Sequence, residues 1–240
     1  MGRAAPGSRP VTLHRFFVDP SDMAAERFAL PAGIERQVRA VLRLRDGDRL
    51  VLLPGDGTEA LCRLEAGECV VEERRPAVGE PRHRLTIAQA LLKGDALEQV
   101  VQHATEVGVA AFRLVVTERC IVRDLPDRRL ARLQTIAREA AEQSERGIVP
   151  EVIAPVPLPD VQASGSVLLF ERHDGIRLGQ LESPPSTVVI GPEGGFTPAE
   201  VHTAVEAGAR VAGLGPRILR SESVAVAAAA VVLSRTGDFA

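Results

Sequence analysis

Two short segments of this 240-residue chain concentrate groups able to do chemistry. The first, residues 188–201 (VVIGPEGGFTPAEV), runs from an apolar strand into Gly191-Pro192-Glu193-Gly194-Gly195. Thr197, Pro198 and Glu200 then take the N-cap, first-turn and capping-box positions of a helix. Glycines around one carboxylate let backbone N–H and C=O groups come close to a ligand, at the strand edge where α/β proteins place their sites. A tight strand-to-helix turn with no further role would use the same residues. In the second, residues 211–233, a short strand ends at Leu214-Gly215-Pro216, and Arg217, Arg220, Ser221, Glu222 and Ser223 precede an apolar helix. In isolation Arg220 and Glu222 read as a solvated ion pair at a helix start. Two arginines, two hydroxyls and a carboxylate directly before a helix this rich in Ala and Val, which must be buried or face a partner, weaken that reading.

Other chemistries lack their residues. Neither G-x-x-x-x-G-K-[ST] nor a G-x-G-x-x-G after a strand is present, so no NTPase loop or Rossmann dinucleotide site is supported. His14, His83, His103, His173 and His202 are scattered without an H-E-x-x-H, and Cys62 and Cys69 lack a second pair, so no metal site is expected. A G-x-S-x-G nucleophile elbow is also missing.

Composition narrows the partners. With 29 Lys plus Arg against 32 Asp plus Glu the formal net charge is −3, which excludes a uniformly basic nucleic-acid binder and requires any RNA contact to be local. Trp and Tyr are absent and Phe numbers 7, so recognition through several exposed aromatic stacking platforms is disfavoured. Positive charge is concentrated over residues 1–45, where eight arginines, Arg9, Arg15 and Arg43 among them, face four acids. A second cluster, Arg119, Arg123, Arg128, Arg129 and Arg132, interleaves with Asp124 and Asp127, and about half of it reads as a solvated helix face. Three cysteines suit a reducing compartment, no apolar segment follows the first charged residues, and the apolar run 224–233 is too short to span a bilayer. A cytoplasmic protein with no membrane contact is expected.

Residues 13–75 read as short strands with turn signals: HRFFVD, RLVLLPGDGTEALCRLE and ECVVEERR, with Pro54-Gly55-Asp56-Gly57 as a hairpin turn. Residues 73–84, carrying Pro76, Gly79 and Pro81, read as a linker, which places a boundary near residue 80. Beyond it strands alternate with helices. Residues 85–92 are a buried strand. Leu97, Val100, Val101, Ala104 and Val107 share one helical face, opened by Asp95 and Glu98 and stopped by Gly108. Strand 112–117 precedes a helix over 127–144 with Leu130, Leu133, Ile136, Ala137 and Ala140 inward. Strands SVLLF and TVVI, a helix, a short strand and a last helix complete a mostly parallel α/β sheet.

With these residues in view, the sequence resembles the bacterial 16S rRNA (uracil-N3)-methyltransferases, the ribosomal RNA small subunit methyltransferase E family of the SPOUT class. The resemblance covers nearly the whole chain. It is carried by RFFV (15–18), VLRLRDGD (41–48), HATEVGV (103–109), TERCIVR (117–123), EAAEQSERGIVPEV (139–152), IGPEGGFTPAE (190–200) and LGPRILRSES (214–223). Gln37 stands where a histidine is common, and Ser221 and Ser223 where threonines are commoner.

The resemblance implies an N-terminal PUA-like β-barrel that binds RNA (1–80, linker included) and a C-terminal SPOUT α/β domain (81–240) closed by a deep trefoil knot. It implies a homodimer. It implies S-adenosylmethionine held by Leu169, Phe170 and Glu171, by Ile190, Gly191, Pro192, Glu193, Gly194 and Gly195, and by Leu214, Gly215, Ile218 and Leu219. The substrate would be 16S rRNA, free or in the small ribosomal subunit. Removing the ring proton of a uracil requires an unpaired or flipped base, a cation and an acceptor. Arg220 would stabilise the developing uracil charge, and Glu193 or Glu222 would take the proton or orient the base. Arg9, Arg15, Arg43, Arg123 and Arg146 would contact RNA. A non-catalytic RNA-binding module would leave the two glycine loops unexplained, whereas a related enzyme acting on tRNA or a ribose hydroxyl would keep them.

Overall fold

The structure, a computed structural model, describes residues 13–171 and 175–239. The chain divides into two compact units, Met1–Val78 and Gly79–Ala240. In the first, β1 (Arg15–Phe17), β2 (Arg27–Phe28), a short helix α1 (Ala32–Arg36), β3 (Arg49–Leu53), β4 (Thr58–Glu65) and β5 (Glu68–Pro76) build a five-stranded sheet ordered β1-β3-β4-β5-β2. Its neighbours are antiparallel except the β1–β3 pair. Alternation along β3 and β4 turns Leu50, Leu52, Ala60, Cys62 and Leu64 inward, where they meet Phe16, Met23, Val38 and Cys69. All three cysteines are buried free thiols. A hydrogen bond with Cys69, together with burial, pushes the Cys62 thiol up.

The second unit holds β6 (Thr86–Ala90), α2 (Ala96–Val107), β7 (Ala111–Val116), α3 (Asp127–Gln143), β8 (Glu151–Pro157), β9 (Ser166–Leu169), β10 (Thr187–Ile190), α4 (Pro198–Glu206), β11 (Arg210–Ala212) and α5 (Ser221–Ser234). Six strands form one sheet, ordered β11-β9-β10-β6-β7-β8, in which every pair is parallel. The apolar runs predicted as strands fill it because a parallel sheet buries both faces. From β6 the chain winds outward through β7 and β8, then crosses to β9 on the other side and fills in β10 beside β6, so the direction of winding reverses between β6 and β10. Ligands of open α/β sheets bind beyond the strand ends at such a reversal.

The helices bury the predicted stripes with adjustments at their margins. Leu97, Val100, Val101 and Ala104 of α2 are buried, as is Thr105, whereas Val107 is only partly covered. Leu133, Ala137 and Ala140 of α3 are buried, and Leu130 and Ile136 pack at the margin. Gly108 closes α2 in the left-handed region at φ +112°. Asp95 occupies the N-cap of α2 but its side chain caps nothing. The stretch read as a linker is partly ordered: Arg74 and Arg75 belong to β5, and the Glu80 carboxylate accepts from the Ile148 amide at 3.0 Å. Strand β8 has no signal in the sequence pattern, because Pro155 and Pro157 argue against a strand. It lies at the sheet edge beside β7, where the missing proline donors are tolerated. Among the described residues no helix is long and apolar enough to cross a membrane.

Candidate active site

Each loop of the site leaves the C-terminal end of a strand near the winding reversal. The loop after β10 is pinned from several directions. Thr197 and Glu200 form the capping box that opens α4, the Thr197 hydroxyl accepting from the Glu200 amide at 3.2 Å and the Glu200 carboxylate from the Thr197 amide at 2.8 Å. Glu200 also accepts from the backbone N–H of Glu118 at 2.8 Å, and Arg119 donates to the Gly194 carbonyl at 2.8 Å. On the opposite flank the Glu193 carboxylate accepts from the Lys93 amide at 3.0 Å. The TERCIVR and LLKGD segments, on the loops after β7 and β6, therefore hold the glycine loop on both sides.

The loop after β11 is held differently. The Phe170 amide donates to the Ala212 carbonyl and the Leu178 amide to the Gly213 carbonyl, and the Arg177 side chain reaches the Gly215 carbonyl at 3.2 Å. Past Pro216 the chain is exposed until Ser221, the first residue of α5, which is buried.

Between these loops lies a cavity of about 580 Å³. Its wall includes Leu169, Phe170 and Glu171 from the end of β9, Ile190, Gly191, Pro192, Glu193 and Gly195 from the loop after β10, and Leu214, Gly215, Ile218, Leu219 and Arg220 from the loop after β11. Glu222 joins it from the first turn of α5. All three segments thus converge on one space, of the size that small-molecule cofactors fill. Gly194 is the exception: a Cβ there would stand 3.3 Å from the Cβ of Arg119, so it faces that side chain and stays out of the cavity wall.

The glycines shape the wall. At Gly191 a Cβ would stand 3.2 Å from the Phe196 ring, and at Gly195, where φ is +66°, it would meet a Glu171 carboxylate oxygen at 3.0 Å. The backbone is therefore bare on the cavity side, able to present its N–H and C=O groups to a ligand. Charge is mixed: Arg217 and Arg220 are exposed, and neither has a side-chain partner among the described residues, while Glu171, Glu193 and Glu222 supply carboxylates. Among the described residues, only Glu193 of these three is committed to a backbone amide.

The described residues expected to face RNA behave in three ways. Arg43 and Arg123 are exposed. Arg9 lies outside the described residues. Arg15 is drawn inward, its side chain 9% exposed with Nε 3.9 Å from buried Glu59, so it is not a phosphate-facing group. Arg146 corrects the expectation outright. Its side chain is 2% exposed, Nη2 lies 3.0 Å from the Glu80 carboxylate, and Nη1 donates to the carbonyls of Thr105 and Val109. It is an internal strut. The sequence reading also missed Ala96, Phe196 and Val224 in the cavity wall, and the bracing by Glu118, Arg119 and Lys93. Phe196 carried a signal, an aromatic residue closing an otherwise small-residue loop. The braces carried none, because their partners are distant in sequence.

Comparison with known proteins identifies the family to which both units are similar. Residues 79–233 match a family model described as an RNA methyltransferase domain, and residues 39–72 one described as an RNA methyltransferase PUA domain. A ribosomal RNA small subunit methyltransferase E of Bacillus subtilis is 30% identical over 93% of this chain and 97% of its own length. One from Synechocystis is 31% identical over 92% of this chain and 78% of its own. A crystal structure of a ribosomal RNA small subunit methyltransferase E from Neisseria gonorrhoeae, bound to S-adenosyl methionine, superposes with a TM-score of 0.85 and 32% identity, covering 95% of this chain and all of that one.

Proposed function

Because the chain belongs to the ribosomal RNA small subunit methyltransferase E family, we propose that it transfers the methyl group of S-adenosylmethionine to N3 of one uridine in 16S rRNA. Family membership makes it an S-adenosylmethionine-dependent methyltransferase of small-subunit rRNA. The atom methylated is the finer reading. The observation that carries it is the convergence, on one cavity at the winding reversal, of three backbone-lined loops with an exposed Arg220 and the carboxylates of Glu193 and Glu222.

The cavity fits the cofactor. Its volume and the bare backbone at Gly191 and Gly195 suit an adenosine approached by main-chain groups, and Leu169, Phe170 and Leu214 offer apolar cover. When bound, S-adenosylmethionine supplies an electrophilic methyl on its sulfonium. Everything else falls to the protein. Ile218 and Leu219, exposed at the cavity mouth, close over the cofactor and exclude water from the reacting methyl. Arg220 donates to a uracil carbonyl oxygen as negative charge develops, a contribution of about 3–4 kcal/mol for one well-placed donor. Glu222 accepts the N3 proton, and Glu193, already bonded to the Lys93 amide, holds the loop in place. Alignment of N3 with the methyl supplies the rest.

Residues 1–80 act as a PUA-like RNA-binding module with its linker and 81–240 as the catalytic domain, closed by the deep trefoil knot that the family resemblance implies. Two chains pair through α5, and the protein works in the cytoplasm. Nucleoside analysis of small-subunit rRNA from a strain lacking this chain tests the central claim. N3-methyluridine should disappear and return on complementation. Loss of a ribose-methylated nucleoside instead, or of a tRNA modification, would replace this reading.

A further inference from the structure

Gln89 lies on β6, beside Ile190 of β10, wholly buried beneath the loops just described. Its amide Nε2 is 3.0 Å from the Ser221 Oγ and 3.2 Å from the Ala90 carbonyl. The Ser221 Oγ is 2.7 Å from the Gly191 carbonyl. A carbonyl can only accept, so the single hydroxyl proton of Ser221 goes to Gly191, and the hydroxyl must accept from Gln89. The orientation of the amide follows: its NH2 faces Ser221 and Ala90, and its carbonyl oxygen is left buried without a partner among the described residues.

A buried amide oxygen with no partner is unfavourable. A methionine or leucine of similar size would bury no such oxygen, so what the glutamine adds at this position is the pair of donors on its NH2. What it does is join three elements. Gly191 opens the loop after β10, Ser221 begins α5 directly after Arg220, and Gln89 sits on β6, the neighbour of β10 in the sheet. Both Gly191 and Ser221 line the cavity.

We propose that Gln89 is a positioning residue for the methyl-transfer site: through Ser221 it locks the Gly191 loop to the start of α5, holding the two cofactor loops in register before ligand arrives. The proposal rests on the assignment of this cavity to S-adenosylmethionine. Neither Gln89 nor its strand belongs to the glycine-loop motifs.

Calorimetric titration of the full chain with S-adenosylmethionine tests it, using Gln89→Met, Ser221→Ala, the double variant and Ser221→Thr, alongside thermal unfolding without ligand. Each single loss of the relay should weaken binding about tenfold, the effect of one hydrogen bond's worth of order in the loops. The double variant should bind no worse than the weaker single one, because both break the same link. Ser221→Thr, which keeps the hydroxyl, should bind within about twofold of the parent. Parental affinity in a folded Gln89→Met, or single losses that multiply in the double variant, would overturn the lock. If Gln89→Met does not fold, Gln89→Leu takes its place: a folded Gln89→Leu must lose affinity without Ser221→Ala deepening the loss, and parental affinity in it overturns the lock. Failure of the parent chain to bind S-adenosylmethionine would overturn the cavity assignment instead, a distinct result.

Discussion

A guanidinium taken out of water must have its charge and its donors met inside the protein, and Arg146 finds both, in Glu80 and in the carbonyls of Thr105 and Val109. Glu80 stands at the entry to the second unit, so this pair ties the start of that unit to the end of α2 and the turn after α3. Glu80→Ala would strand a buried cation, a change that costs about 3–5 kcal/mol. We expect the melting temperature to fall by about 10 °C, with no selective loss of RNA affinity in variants assayed well below it. An unchanged melting temperature would show that the ion pair is not structural. Gly195 makes a sharper case. Valine there would force a β-branched residue to φ +66° and push its Cβ against Glu171. Gly195→Val should abolish S-adenosylmethionine binding by calorimetry while the far-ultraviolet circular dichroism stays that of the parent. Retained affinity would remove this loop from the site.

Among the elements, α5 is apolar on nearly every side, including the side the second unit covers only in part. It packs on α2, β6 and β10, which covers Ala225, Ala228, Ala229, Val232 and Leu233. Val226, Ala227, Ala230 and Val231 remain half-exposed, and no polar stripe replaces them. Small side chains allow a second helix to come close, which is the physical ground for pairing two chains there. Sedimentation at micromolar concentration should give a dimer, and Ala227→Glu a monomer with the fold retained. A parent chain that is monomeric and fully active would end the proposal. The contrast between α5 and β8 shows what a sequence exposes. The order of strands and helices was legible because apolar period and cap chemistry are local: Thr197 and Glu200, three residues apart, announce α4. Strand β8 was not legible, since whether Pro155 and Pro157 are tolerated depends on lying at a sheet edge, a fact settled by the whole topology. The cavity loops were legible because glycine is demanded wherever backbone must be bare. Burial of Arg146 was not, because its partner Glu80 is 66 positions away.

At the scale of the molecule, two units with separate cores allow RNA capture and chemistry to rest on different residues, and the two can be dissociated experimentally. Arg43 in the first unit and Arg123 in the second are exposed cations distinct from the cavity wall. If they meet phosphates, removing either charge should lower the slope of log affinity against log salt by about 0.7–0.9. Neutralising both to glutamine should therefore weaken RNA binding and flatten its salt dependence, with S-adenosylmethionine affinity unchanged. Arg220→Ala should do the reverse. RNA and cofactor should still bind, but turnover should fall by about a hundredfold or more, the usual consequence of removing one donor aimed at developing charge. Primer extension reads the product directly, because a methyl on N3 occupies the pairing edge and stops the polymerase. An Arg220→Ala chain that methylates at the parental rate, or that loses only RNA affinity, would make Arg220 an anchor for the substrate and leave the developing charge on the uracil to another group.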